Sequence, residues 1–281
     1  MSINKVDGLP LAGRTDRSQD PWFWSHYDDV PNIVLSIVPP EFVQEGRAIV
    51  DFGCGDGIEA LGMASRVGAQ VNGVDLHATF NHLPEYARKN LGSGALPSNL
   101  SFVQTQIGKP LPFRERSVDL VYSWSVFEHI ADVRGVLAEM HRISKPGGAL
   151  FIQIEPLFYG PFGSHLLRLV EEPWAHLLYG EEEFERMVAS ARDNVPLSEK
   201  DTLYRHNAFE DVKRHLLSEY RTLNRIRAEE LLAEVADAGF EIVSSRMIRA
   251  EGVVPSPALL EKYPLDLLMT NQIVVLAKRP L

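Results

Sequence analysis

Short apolar runs alternate with amphipathic stretches along the first half of the chain. Ala48 to Phe52 is a β-branched run that reaches an acid, Asp51, and meets glycines; Ile58 to Val67 is amphipathic. Gln70 to Val74, Leu100 to Gln104, Val118 to Trp124 and Ala149 to Ile154 are further strand-length runs. Helical spacing falls between them, over Phe80 to Asn90 and from Glu128 and His129 to Ile143, and Pro146-Gly147-Gly148 predicts a turn into the fifth strand. Strands alternating with helical segments at this spacing predict a parallel sheet with right-handed crossovers. Upstream, Trp24, Tyr27, Val34, Leu35 and Val38 share a helical face, so a lead-in helix is expected, broken at Pro31 and ended by Pro39-Pro40.

The alternation stops at Glu155. From there to about Asn224 the pattern is helical and loop-like, and rich in aromatics and histidines. Glu181-Glu182-Glu183 reads as a solvated helix start, where negative charge suits the dipole. A helix from Arg227 to Ala238, stopped by Gly239, precedes two strands, Phe240 to Ile248 and Asn271 to Ala277. With no long helix between them, these two can pair antiparallel at the sheet edge. The predicted fold is α/β: doubly wound, a mostly parallel seven-stranded sheet with an antiparallel edge strand and a helical cap insertion. Residues 1–45 read as an N-terminal arm and lead-in helix. Residues 46–281 read as the main domain, with the cap over about 156–224.

Composition changes this picture little: 45% of the 281 residues are apolar and 23% charged. The charge matters more. A formal net charge of -10, with Lys and Arg scattered, disfavours nucleic-acid partners. Cys54 is the single cysteine, so no disulfide or cysteine-based metal site can form within the chain. Met1 to Arg17 lacks the apolar core of a signal peptide, and no apolar run reaches the roughly 18 residues of a membrane span. A cytoplasmic protein is expected. The aromatic cluster Pro21-Trp22-Phe23-Trp24 either packs on the core or lines a pocket, and the arm and cap could both support a homodimer.

The chemistry gathers at Asp51-Phe52-Gly53-Cys54-Gly55-Asp56-Gly57. Glycines at alternate positions let the backbone bend sharply and let a flat ligand approach the main chain, beside the free N–H groups of a helix start. A triphosphate loop would end in Gly-Lys-Ser/Thr, and Gly57-Ile58-Glu59 does not. A dinucleotide turn wants Gly-x-Gly-x-x-Gly, and here the third glycine comes one residue early. The motif, together with Asp75 at the tip of the second strand, Leu111-Pro112-Phe113 before Val118-Asp119-Leu120-Val121, and Arg142-Ile143-Ser144-Lys145-Pro146-Gly147-Gly148, resembles the class I S-adenosylmethionine-dependent methyltransferases, Rossmann-like, of the small-molecule or type-11-like subgroup. The likeness runs from about Ala48 to Ile154.

The resemblance implies S-adenosyl-L-methionine as cofactor, held by Asp51, Gly53, Cys54, Gly55, Gly57, Asp75, Leu76, Gln106, Ile107 and Ser123. Asp75 would accept from the ribose hydroxyls, Asp51 would face the methionine amino group, and Leu76 would lie on the adenine. Where the family commonly places an acid for the adenine amino group, this chain has Gln106, with Ile107 beside it. Cys54 sits between glycines with no base evident beside it, so a nucleophilic role is disfavoured.

A hydroxyl acceptor loses a proton as it is methylated, so a base helps. The candidates beyond the ends of strands four and five are Glu128, His129, Tyr159 and His176, with His165 also in the cap; each has a packing role as its alternative. Asn224 or Arg225 could close the site. The nine histidines show no His/carboxylate spacing typical of a metal site, so metal independence is expected. The expected function is methyl transfer to a small-molecule or glycan- or lipid-linked acceptor, at oxygen. The alternatives are a protein or RNA methyltransferase, disfavoured by the acidic balance, and a non-catalytic methyltransferase-like binding scaffold.

Overall fold

A computed structural model describes residues 17, 20–193 and 207–281. Most of the expected N-terminal arm, and residues 194–206 of the expected cap, lie outside the described residues. The chain enters through α1 (Pro21–Trp24), a π-helical turn (Ser25–Asp29) and α2 (Val30–Ile37). It then alternates: β1 (Ala48–Phe52), α3 (Ile58–Ala64), β2 (Gln70–Asp75), α4 (Leu83–Leu91), β3 (Leu100–Gln104), β4 (Val118–Trp124), α5 (Val133–Ile143) and β5 (Ser144–Ile154). The cap contributes α6 (Ala175–Leu178), α7 (Glu181–Ser190) and α8 (Phe209–Thr222). α9 (Ala228–Asp237), β6 (Glu241–Arg249) and β7 (Thr270–Lys278) complete the sheet.

The strand order is β3-β2-β1-β4-β5-β7-β6. The first five strands run parallel, and β7 lies antiparallel between β5 and β6. Successive side chains point to opposite faces. Val50, Val121, Ile152 and Val275 therefore meet Leu137 and Met140 of α5 and Leu231 and Val235 of α9. Ile49, Leu120, Phe151 and Val274 meet Val30 and Val34 of α2 and Ala60 and Met63 of α3 on the other face. No helix among the described residues is long and apolar enough to cross a membrane.

Two expectations change. The lead-in helix does not break at Pro31, which sits in the first turn of α2. Proline lacks an N–H and crowds the carbonyl four residues back. The chain absorbs this upstream as the π-helical turn, where Val30 N–H reaches the Ser25 carbonyl. The Tyr27 carbonyl then presses on α3 at Gly62, where a Cβ would lie 2.1 Å from its oxygen. Nor does Pro146-Gly147-Gly148 stand apart as a turn. It lies within β5 as a bulge, the register jumping from Val118–Ser144 to Leu120–Ala149. Gly147 N–H donates to the Arg279 carbonyl and Arg279 N–H to the Gly148 carbonyl, both at 2.8 Å, so the chain end stitches the segment into the sheet.

At the N-terminal end of the parallel strands, Asp119 of the central strand β4 ties the strand starts together. It accepts from Lys145 Nζ at 2.6 Å, Arg47 Nη1 at 2.9 Å and the Ala48 N–H at 2.9 Å.

Candidate functional site

The turn after β1 hangs from β2: Gly53 and Cys54 N–H both donate to the Val74 carbonyl, at 2.8 and 3.1 Å. Gly55 (φ 51°) and Gly57 (φ 80°) take left-handed backbone that side chains rarely adopt. Their surroundings differ. A Cβ at Gly57 would meet the Phe102 ring at 2.7 Å, so that glycine serves packing. At Gly55 a Cβ would meet nothing within 4 Å, so this stretch of main chain faces open space. The amide that starts α3, Ile58 N–H, is taken by Asp56 Oδ1 at 3.1 Å, so the expected free helix-start donor is already in use.

Asp75, half-buried at the tip of β2, holds the turn from the other side. Its Oδ2 accepts Gly55 N–H at 2.9 Å and its Oδ1 accepts His77 N–H at 2.8 Å. Each carboxylate oxygen retains capacity for a further donor. Thr105 N–H donates to the Asp75 carbonyl at 2.7 Å, which brings the segment carrying Gln106 and Ile107 alongside. Gln106 is exposed, as are Ile107 (85%) and Leu76 (41%). Together they edge an open surface rather than a closed slot.

On the other side of the turn lies a cleft of about 640 Å³. Its walls include Gly53 to Asp56, Glu59, Trp124, Ser125, Glu155, Asn271, His129 and His165, with Leu216 and Glu219 reaching over from α8. Trp22 and His26 from the lead-in segment also line it, and Trp22 Nε1 donates to Asp56 Oδ2 at 3.2 Å. Phe23 and Trp24, by contrast, are buried. The aromatic cluster thus does both jobs considered for it. No spacing rule marks Trp22, His26 or Glu59; only tertiary packing places them here.

The cleft is lined by acidic residues, among them Asp56, Glu59 and Glu155, and Asp51 is buried close to Asp56 and Glu59. Asp51 is 1% exposed, and its Oδ2 has no hydrogen-bond partner. Burial raises its carboxyl well above the usual carboxylate range, and Asp75 and Asp56 add to this. The Tyr122 hydroxyl works the other way, although the two do not meet as an ordinary hydrogen bond. Glu59 is raised for the same reasons, burial first, then Asp51 and Asp56. A buried acid with no counter-charge is a site waiting for a cation. Cys54 is buried, and burial with the surrounding acids pushes its thiol far up, so a thiolate nucleophile is not available.

Ser123, expected to touch cofactor, is fully buried and donates to the Phe52 carbonyl at 3.0 Å, tying β4 to β1. The serine at the cleft is Ser125, whose N–H and hydroxyl both donate to Gln153 Oε1 at 3.0 Å. Two of the catalytic candidates also sit elsewhere. His176 is buried with its Nε2 2.7 Å from the Phe158 carbonyl, and burial depresses its pKa to about 4. Tyr159 leaves the cleft to pack beside Tyr263 and Arg227. Both fall back to packing roles, because the chain turns at Pro156 and carries them into the cap.

The other two candidates remain. Glu128 and His129 lie on a 3₁₀ turn (Phe127–His129). Glu128 is 3% exposed, and burial pushes its carboxyl up to about 8; its own N–H opposes this and Glu155 adds to it. His129 is open to solvent through the cleft, while surrounding protein lowers its pKa and Glu219 raises it. His165 joins them from the segment beyond β5, its pKa depressed to about 4 by burial first and then by His129. Asn224 does not reach the cleft. Its Nδ2 donates to the Phe127 and Ile130 carbonyls at 2.6 and 2.8 Å, and its N–H donates to the Glu128 carbonyl at 2.9 Å, so it holds the 3₁₀ turn. Arg225 lies over the Phe158 ring.

Residues 50–152 match the family model described as a methyltransferase domain. A probable chloroplastic tocopherol O-methyltransferase of Oryza sativa subsp. japonica is 29% identical over 123 residues, which is 43% of this chain and 32% of that protein. A sterol 24-C-methyltransferase of Gibberella zeae is 33% identical over 107 residues, 38% of this chain and 27% of that protein. The chain thus spans about a third of the length of these curated relatives. The crystal structure of an S-adenosylmethionine-dependent methyltransferase from Mesorhizobium loti superposes with a TM-score of 0.51 at 18% identity, covering 88% of this chain and 96% of that one.

Proposed function

From the premise that the chain belongs, through residues 50–152, to the class I S-adenosylmethionine-dependent methyltransferases, we propose that it transfers a methyl group from S-adenosyl-L-methionine to a hydroxyl of a small-molecule or glycan- or lipid-linked acceptor. The observation that carries this is the pairing of open backbone at Gly55 with the buried, unpartnered Asp51 carboxyl and neighbouring Glu59 on one side and the Asp75 carboxylate on the other. That set of acceptors fits a ligand with an ammonium at one end and a sugar diol at the other. When bound, the cofactor supplies an electrophilic methyl on a sulfonium whose charge disappears as the new bond forms.

The remaining work belongs to the chain. Asp75 orients the ribose, and Asp51 with Glu59 balances the ammonium. Trp22, Trp124 and Phe162 exclude water from the cleft. His129 and His165 carry neutral imidazoles at the cleft wall, and one of them takes the acceptor's proton. The acidic lining of Asp56, Glu59, Glu155 and Glu219 supports a neutral or cationic acceptor over a nucleic acid.

Calorimetric titration with the cofactor and its demethylated product tests the donor half. No heat with either returns the chain to the non-catalytic scaffold reading. Transfer of a labelled methyl group to a panel of phenolic and glycosidic hydroxyls tests the acceptor half.

A further inference from the structure

Three ligand-bearing side chains, two adjacent in sequence and the third far downstream, meet where His129 and His165 line the cleft. Glu128 and His129 come from the 3₁₀ turn, and His165 from the segment beyond β5. One ligand atom from each lies within 4.8 Å of the other two. Both oxygens of Glu128 are buried and lack a hydrogen-bond partner. Such a carboxylate is costly to fold without a positive group beside it.

The two histidines are arranged as ligands. His165 Nε2 lies 3.2 Å from the Pro156 carbonyl. A carbonyl only accepts, so Nε2 carries the proton and the lone pair falls on Nδ1. Metal-bound histidines are held in this way, the second nitrogen donating to a carbonyl or carboxylate. The His129 ring meets the His165 ring edge-on, with centroids 5.1 Å apart. Backbone supports are in place on both sides: Asn224 fixes the 3₁₀ turn, and His165 N–H donates to the Phe162 carbonyl at 3.0 Å.

We propose that Glu128, His129 and His165 bind a first-row divalent transition cation, of the Zn²⁺ or Co²⁺ kind, open to the cleft. Two imidazoles and one carboxylate suit these ions over Mg²⁺ or Ca²⁺, which prefer all-oxygen sets. A tetrahedral ion with bonds of about 2.1 Å spaces its ligand atoms by roughly 3.4 Å, so small side-chain rotations close the set. Three protein ligands leave a fourth position for an oxygen ligand. This replaces the expectation of metal independence. The cation's consequence for chemistry rests on the methyl-transfer reading: with His129 and His165 as ligands, it would acidify a bound acceptor hydroxyl enough for the proton to leave to water, in place of an imidazole base. Its binding does not rest on that reading.

The test is titration of the metal-free full chain with Co²⁺, followed by visible absorption, and with Zn²⁺, followed by calorimetry. One ion per chain with the intense bands of four-coordinate Co²⁺ is expected. Glu128→Gln and His165→Ala should each weaken binding by roughly tenfold or more, while His82→Ala, at an exposed position outside the cleft, should bind as the parent does. His129 is solvent-accessible, so His129→Cys guards against misfolding: it should retain Co²⁺ and add a sulfur-to-metal charge-transfer band. No saturable binding by the parent, binding that all variants keep, or a His129→Cys complex without that band overturns the proposal. Cofactor titrations on the same samples separate the two readings. A parent chain that binds cofactor but no metal refutes the cation site alone; a parent that binds metal but no cofactor refutes the donor assignment alone.

Discussion

Asp75→Ala separates two tasks that one carboxylate performs. In the free protein it accepts the Gly55 and His77 amides at 2.9 and 2.8 Å. Asp75 is half-buried, so water replaces much of what is lost. About 1 kcal/mol for each amide is expected, and the melting temperature should fall by about 2–4 °C per kcal/mol. The second task is the ribose. Hydrogen bonds to a charged group are worth about 1.5–3 kcal/mol, and their loss lowers affinity by roughly 10–150-fold. Calorimetric titration with the demethylated cofactor measures this on the folded fraction, and a thermal melt without ligand measures the first effect. Asp75→Asn should fall between parent and Asp75→Ala, since its single acceptor oxygen cannot serve both sides. A lowered melting temperature with unchanged affinity would refute the ribose assignment and leave Asp75 as a brace for the turn.

Cofactor binding should release protons near neutral pH, because Asp51 and Glu59 are raised in the free protein and a bound ammonium returns them to the charged form; a binding heat independent of buffer ionisation enthalpy would contradict this. Asp119 has the opposite sign. Burial alone would raise it, but Lys145, the Ala48 N–H and Arg47 outweigh that and hold it below 3.8, so its contribution is present above that value and lost as pH falls through the lower folded one. Asp119→Ala should therefore cost about 1–3 kcal/mol at pH 7, since Lys145 and Arg47 can turn to solvent, and flatten the acid limb of a stability–pH curve; an unchanged limb would disprove the tie. Gly62→Ala, which puts a methyl against the Tyr27 carbonyl, should destabilise by about 1–3 kcal/mol in denaturant melts, and a neutral result would mean the lead-in segment is free to move off α3.

The sheet was legible because its strands are apolar runs bounded by glycine, proline or charge; β1, β3 and β4 keep the predicted limits and β2 runs one residue further, to Asp75. The Pro146-Gly147-Gly148 segment was not, because its pairing partner is Arg279, at the other end of the chain. Pro31 correctly signals a lost hydrogen bond, but where the helix pays out the slack depends on the glycine facing it. The donor side of the site lies on consecutive residues and one strand tip, so local spacing carries it. The acceptor side is assembled from the lead-in segment, the 3₁₀ turn and the cap. Trp22, His26 and His165 come together only through packing, and the cap residues that looked chemical, Tyr159 and His176, point into it.

The grip of Asn224 on the 3₁₀ turn has a mechanical consequence. The chain leaves the cap at this residue, and three hydrogen bonds fasten it to the loop that carries Glu128 and His129. If the cap lifts to admit an acceptor, its downstream strap cannot serve as the hinge without dragging those two side chains out of alignment. Opening must be taken up on the upstream side, where the chain passes from Glu155 towards His165. The exit strap then acts as a fixed anchor, keeping the reactive groups in register while the roof above them moves.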